Sequence, residues 1–186
     1  HPTGPVKKVG AARGTGTTVY FHPDPTIFPK VEFDPALIRE RLEIVSYIHK
    51  GVKVTFENEV DGTKAVFQHE EGLTDFLKKI VAERGAKPVH YAPFVLSRES
   101  TPRLDLVLQW TEATDEHIRS YVNSIPTGAG GTHEAGFKSG VVKAVRNFIE
   151  THGLSPKGVT VTAEDVREGL TAVLSVYILN PQFQIG

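Results

Sequence analysis

The sequence predicts an α+β protein, and three observations carry that expectation. The segment "VKVTFENEVDGTKAVFQHE" alternates apolar Val52, Val54 and Phe56 with polar residues before an Asp61-Gly62 pair, the pattern of a β-hairpin. The segment "FDPALIRERLEIVSYIHKG" repeats Ile38, Leu42, Val45 and Ile48 at helical spacing. Three further strand candidates lie between two more helical stretches. The predicted order is β-α-β-β, then α-β-β-β-α-(α)-β, and a boundary is expected near Glu71/Gly72, where one α+β unit closes and another opens.

Residues 1–14 are rich in Pro, Gly and Lys and read as a loop. "GTTVYFHP", Gly16 to Pro23, reads as a strand stopped by Pro23 and Pro25. In the first helix Asp34 suits the N-cap, Pro35 the first helical position and Gly51 the C-terminal cap. A second helix is expected from Leu73 to Arg84, burying Phe76, Leu77, Ile80 and Val81 and ended by Gly85. "VHYAPFVLS", "LDLVLQWTE" and "HIRSYVNSI" read as strands. A long helix from Thr132 to His152 is expected to bury Val141, Val145, Phe148 and Ile149. Thr162 with Asp165 marks a capped short helix, and "TAVLSVYIL" reads as the last strand.

Composition narrows the function classes. The chain has 186 residues, 39% hydrophobic and 23% charged, with a net charge of −1. That balance argues against a free-standing, strongly electrostatic nucleic-acid binder, while leaving room for a local basic face. No apolar run approaches the roughly 18–20 residues that span a membrane. With no Cys there are no disulfides, thiolate metal ligands or cysteine nucleophiles. With no Met, the sequence is expected to begin inside a longer gene product.

Few stretches carry chemistry. "IPTGAGGTHEAGFKSG" approaches a phosphate-binding loop, but Phe137 separates Gly136 from Lys138 where the motif needs Lys directly after Gly. Gly128, Gly130 and Gly131 then read as turn residues with positive φ, and Gly136 and Gly140 as sites of close helix-to-sheet packing. The alternative is a helix N-terminus whose N–H groups face an anion. His69-Glu70-Glu71 and His133-Glu134 both fall short of H-E-x-x-H, so no metal site is expected. No G-x-S-x-G elbow presents a serine nucleophile. Lys138, Lys143 and Arg146 fall within about 140° of helical arc, either a solvated face or a surface for phosphate backbones.

Taken in order, "GTGTTVYFHPDPTIF", "IPTGAGGTHEAGF", "AEDVREGLTAVLSV" and "NPQFQ" resemble the B subunit of bacterial DNA gyrase and its topoisomerase IV counterpart, over about Pro5 to Gln184. The resemblance implies that residues 1–71 are the C-terminal part of a GHKL (Bergerat-type) ATP-binding domain. Residues 72–186 would be a transducer domain like domain 2 of ribosomal protein S5. It also implies an ATP-hydrolysing, cytoplasmic, nucleoid-associated isomerase of DNA topology. Such an enzyme uses ATP and Mg²⁺, dimerises through the ATPase region, and acts on duplex DNA with an A subunit.

At the level of residues, the resemblance makes Thr17 a contact to adenine near the aminocoumarin site. It makes "GGTHEAGF" a strand-to-helix turn and turns Lys138 toward the DNA cavity, with Lys143 and Arg146 as companions that no motif anchors. It assigns no catalytic residue to this chain. The family's Mg²⁺-binding helix with its catalytic Glu, its Asp-x-Gly-x-Gly loop and its ATP lid do not occur in it. The chain ends "PQFQIG", where the family continues toward Gln-Thr-Lys, so Ile185-Gly186 departs from the pattern. The chain alone is therefore expected neither to bind ATP tightly nor to hydrolyse it, and its first helix and hairpin are expected to show an uncovered apolar face. Two other readings remain open on the residues alone: a non-enzymatic S5-like nucleic-acid-binding module, and a protein-protein domain.

Overall fold

A computed structural model describes residues 3–155 and 157–184; Ile185-Gly186 lies outside them. The chain divides into two units, residues 1–34 and 35–186.

Residues 3–34 contain no helix or strand. The strand expected over Gly16–Pro23 is not formed: Val19, Tyr20 and Phe21 are exposed, and no described segment forms a ladder with them. Alternation alone cannot make a strand, because its N–H and C=O groups need a neighbour. Local order comes instead from Asp24, whose carboxylate accepts from the backbone N–H and the hydroxyl of Thr26 at 2.8 and 2.7 Å. Those bonds hold its pKa below the ordinary aspartate value. Phe21 meets Phe33 edge-to-face with ring centroids 6.0 Å apart.

In residues 35–184, α1 (Pro35–Ile48) is followed by the hairpin β1 (Val54–Asn58) and β2 (Thr63–Phe67). Gly62 closes the turn with φ 75°, a conformation that favours glycine. Helix α2 (Leu73–Glu83) precedes β3 (Phe94–Arg98), β4 (Arg103–Trp110), β5 (His117–Val122) and β6 (Ile125–Pro126). Then come α3 (Thr132–Thr151), α4 (Ala163–Arg167) and β7 (Leu170–Tyr177). The five-stranded sheet runs β3-β4-β7-β5-β6, and only the β5–β7 pairing is parallel.

Alternation along the strands sorts the core into two layers. Val107 and Val173 are register partners facing α2, where they join Phe76, Leu77, Ile80 and Val81. Their neighbours Leu106, Leu108, Ala172 and Leu174 face the other way, against Phe137 and Val141 of α3. Because β4 and β7 are covered on both sides, "LDLVLQW" and "LTAVLSV" read as near-continuous apolar runs. Each fully buried Leu or Val contributes roughly 1.5–3 kcal/mol.

Ile44, Tyr47 and Ile48 of α1 enter the same core as α2. Tyr47 stacks on His69 at 3.8 Å and on Phe76 at 4.8 Å. Burial and then Glu43 push its hydroxyl pKa up to about 12. The functional boundary expected at Glu71/Gly72 thus runs through a continuous core. Ile38 of α1, Val52 and Val66 of β2 stand exposed, the apolar surface expected of this segment.

Two sequence expectations for α3 need correction. Only Val142 is fully buried on it; Phe148 is 56% exposed and stacks on His152 instead. Gly136 and Gly140 do not approach the sheet, because a Cβ on either would meet open space. Helix α3 meets the sheet core through Phe137 and Val141, and farther along Val145 and Ile149 are only half-buried.

Gly169 is the glycine that packing does require. Its φ is 73°, and an added Cβ would lie 2.3 Å from the carbonyl oxygen of Thr111. Gly169→Ala is expected to destabilise by more than about 2 kcal/mol. Gly136→Ala, in an exposed helical position, should stabilise by about 0.5–1 kcal/mol. Urea denaturation of the two variants checks both; equal effects would show that the approach at Gly169 is not tight.

Candidate functional site

The turn "TGAGG" brings the chain from β6 to the start of α3. Gly130 and Gly131 have φ of 79° and 149°, and a Cβ on Gly131 would sit 2.8 Å from the His133 ring. These two glycines do what the sequence assigned to them; Gly128 has no positive φ. No side chain caps α3, whose N-cap is Gly131.

The first turn of α3 is tied down by side chains. Ser120, on the α3 face of β5, donates to Glu134 Oε2 at 2.9 Å. Thr127 donates to the Ser120 carbonyl at 2.9 Å, and His133 Nε2 lies 2.9 Å from the Thr127 hydroxyl. With one oxygen of Glu134 so fixed, the other pairs with Lys138 Nζ at 3.1 Å, one helical turn on.

Lys138 has a second carboxylate. Its Nζ lies 2.9 Å from Glu116 Oε1, on the residue preceding β5. The Arg167 guanidinium stands 3.5 Å from Glu116 Oε2, an oxygen that is buried without a hydrogen bond among the described residues. Arg167 also reaches the Ala163 carbonyl at 3.2 Å and Glu164 at 3.4 Å. The hydrogen bond to Glu116 raises the Lys138 pKa most; desolvation opposes it and Glu134 adds to it. The ammonium is therefore fully charged at neutral pH, and already paired.

Helix α4 is placed by the capping box read from the sequence: Thr162 Oγ1 accepts from Asp165 N at 3.1 Å, and Asp165 accepts from Thr162 N at 2.8 Å. The indole N–H of Trp110 donates to the Val166 carbonyl at 2.8 Å and fastens α4 to β4. Arg146 donates to the Val161 carbonyl at 3.2 Å, just before α4. So Arg146 reaches the segment before α4, Lys138 is held by Glu116 and Glu134, and Lys143 is exposed. Thr17, in the other unit, is exposed in a segment without regular structure. Among the described residues no group of three or more His, Asp or Glu is arranged to hold a metal ion, and no helix is long and apolar enough to cross a membrane.

Sequence reasoning missed Glu116, Ser120, Thr127 and Arg167 as parts of this site. Only the Glu134–Lys138 spacing carried a local signal. Ser120 and Thr127 meet across the short β5–β6 hairpin, and Arg167 reaches Glu116 because β5 and β7 pair in parallel, a contact that no short stretch of sequence records.

The opposite face of β5 carries a second polar group. Arg84 clasps Asp115 with two 2.7 Å bonds and donates to His117 Nδ1 at 3.3 Å. His117 Nε2 is buried without a partner among the described residues. Desolvation, then Arg84 and Arg119, lower the His117 pKa, with Asp115 opposing them.

The family follows from comparison with known proteins. The DNA gyrase B family profile matches residues 72–185, well over half of the chain. The chain belongs to the DNA gyrase B family. The gyrase B protein of Thermotoga maritima is 35% identical over 191 residues, covering 98% of this chain and 30% of that protein. The gyrase B protein of Thermus thermophilus is 38% identical over 186 residues, covering 98% and 29%. The chain thus spans under a third of the length of these gyrase B relatives.

Solved structures agree with the sequence relatives. The 43K ATPase domain of Thermus thermophilus gyrase B, in complex with an aminocoumarin, matches with TM-score 0.76 and 35% identity over 87% of this chain and 44% of that one. The topoisomerase IV ATP-binding domain of Francisella tularensis matches with TM-score 0.70 and 31% identity, over 87% and 43%. The α+β architecture expected from the sequence is that of these gyrase B and topoisomerase IV regions.

The half-buried His117 makes a pH prediction. Its folded pKa lies below the unfolded value of about 6.5, so its contribution to stability is fully present above that value and is lost as pH falls below it and through the folded pKa. Thermal melts at about pH 7.5 and pH 5.5 should show a smaller acid-induced loss in His117→Gln than in the parent chain. An equal loss would mean that His117 is not the group that protonates.

Proposed function

We propose that this chain is the coupling part of the ATPase region of a type II DNA topoisomerase B subunit. In the intact protein, ATP binding would close a homodimeric gate, and the segment from residue 72 would relay nucleotide state to capture and passage of a duplex. DNA cleavage would belong to other domains and to a partner A subunit. The observation that supports this reading most is the fold likeness over 87% of the chain to a gyrase B ATPase domain.

In this reading residues 1–71 complete part of the nucleotide-binding domain and residues 72–186 form the transducer. Thr17 contacts adenine, its hydroxyl able both to donate and to accept. The matched Thermus thermophilus domain was solved in complex with an aminocoumarin, in keeping with an inhibitor site within the ATPase region. Lys138 faces the DNA cavity, with Lys143 and Arg146 beside it on α3. Contacts of this kind to phosphates are blind to sequence and weaken with salt.

The residues of this chain fit only the adenine edge of ATP. The sequence lacks the Asp-x-Gly-x-Gly loop of the resemblance. No step of hydrolysis is therefore assigned to its side chains. The working site of action would be cytoplasmic, on the nucleoid.

ATP turnover tests the proposal, with and without duplex DNA, for this chain and for one extended at both ends. The chain alone is expected to be silent and the extended chain active. Turnover by the chain alone would overturn the division of labour; silence of both would favour a nucleic-acid-binding module without enzymatic coupling.

A further inference from the structure

Among the three basic residues proposed to face DNA, Lys138 differs from its companions. Its Nζ is held at 2.9 Å by Glu116 and at 3.1 Å by Glu134, whereas Lys143 and Arg146 have no carboxylate partner among the described residues. We propose that Glu116 and Glu134 form an electrostatic latch that keeps Lys138 from DNA phosphates until it is displaced, and so sets the duplex affinity of this surface. The inference rests on the reading that Lys138 faces DNA.

Three features make this a latch rather than an incidental surface pair. First, the carboxylates are anchored independently of Lys138. Glu134 is bonded to Ser120, and Glu116 sits where β5 begins, beside Arg167. They keep their places when the flexible lysine stem swings away. Second, the pairs are shielded: the side chains of Lys138, Glu116 and Glu134 are 28%, 30% and 16% exposed. Screening and competing water weaken such pairs less than fully exposed ones. Third, the local charge is not basic. Lys138 and Arg167 face three carboxylates, Glu116, Glu134 and Glu164, so the cluster carries no net positive charge where the sequence alone suggests a basic surface.

A phosphate arriving at Lys138 thus meets two effects of one sign. The ammonium must leave two hydrogen-bonded carboxylates, and those carboxylates then repel the phosphate. Lys143 and Arg146 lie farther along α3 and make first contact unopposed. Lys138 joins only when a duplex is pressed against the helix, so its contribution is conditional on capture.

Fluorescence anisotropy with a labelled short duplex, using the full chain, tests the latch. The variants are Glu116→Gln, Glu134→Gln and the double variant, each with and without Lys138→Ala. The double variant should bind about three- to tenfold more tightly than the parent. Its log–log salt slope should steepen by about 0.9, one added phosphate contact. In the Lys138→Ala background the added slope should vanish and only the smaller gain from lost repulsion should remain, because a latch has nothing to release.

Glu116→Gln alone should give a smaller gain of the same kind, and it leaves the Glu134–Ser120 bond untouched. An undiminished gain with the same steepening in the absence of Lys138 would reduce the effect to diffuse charge and overturn the latch. Loss of affinity in Lys138→Ala with no gain from the glutamate variants would also overturn it, while leaving the DNA reading intact. No effect of Lys138→Ala in any background would remove the DNA reading and the latch together.

Discussion

The pairing of β7 with a neighbour on each side is the constraint on which the rest of the structure depends. Leu170–Tyr177 joins β4 antiparallel and β5 parallel, and it is buried from Leu170 through Val176. Parallel strands cannot be joined by a tight turn, so the chain between β5 and β7 must cross over one face of the sheet. Helix α3 and helix α4 are that crossover. Lys138 and Arg167 are therefore brought beside Glu116 by the same topology that completes the core. The close approach of Gly169 to the Thr111 carbonyl, with no room for a Cβ, marks where α4 hands the chain back to the sheet.

The two faces of β5 divide the polar chemistry. Ser120 points to α3 and anchors Glu134, so it acts on Lys138 through one intermediary. Arg119 and His117 point to α2, where Arg119 lies over the Phe76 ring at 5.6 Å and His117 accepts from Arg84. Ser120, Arg119 and His117 Nδ1 each meet a group on, or at the end of, the helix that covers them. A half-buried sheet position tolerates charge only under that condition. The charge state of the α3 surface is thus a product of tertiary packing and cannot be counted from lysines and arginines.

Much of the architecture was legible in the residues. Periodicity located α1, α2 and α3, the Asp61-Gly62 pair located the hairpin, and Thr162 with Asp165 located the capping box. Where the reading failed, the missing information was non-local. "GTTVYFHP" has strand alternation and no strand to pair with. Phe148 has core spacing and no core beneath it, because α3 meets the sheet core through Phe137 and Val141. Gly136 and Gly140 have the spacing of a packing stripe and face open space. The site was legible only in part: Lys138 could be singled out and Glu134 stood one turn away, but Ser120 joins through the β5–β6 hairpin geometry and Arg167 meets Glu116 through strand order.

The central claim is that the α3 side of the sheet, with its carboxylate-paired Lys138, is the surface that meets duplex DNA. Amide hydrogen exchange, compared with and without saturating duplex at low salt, tests it most directly. The account predicts slowed exchange through the Gly130–Lys138 turn and along α3, with β3, at the far edge of the sheet, unchanged. Slowed exchange at β3 with α3 unaffected would contradict it.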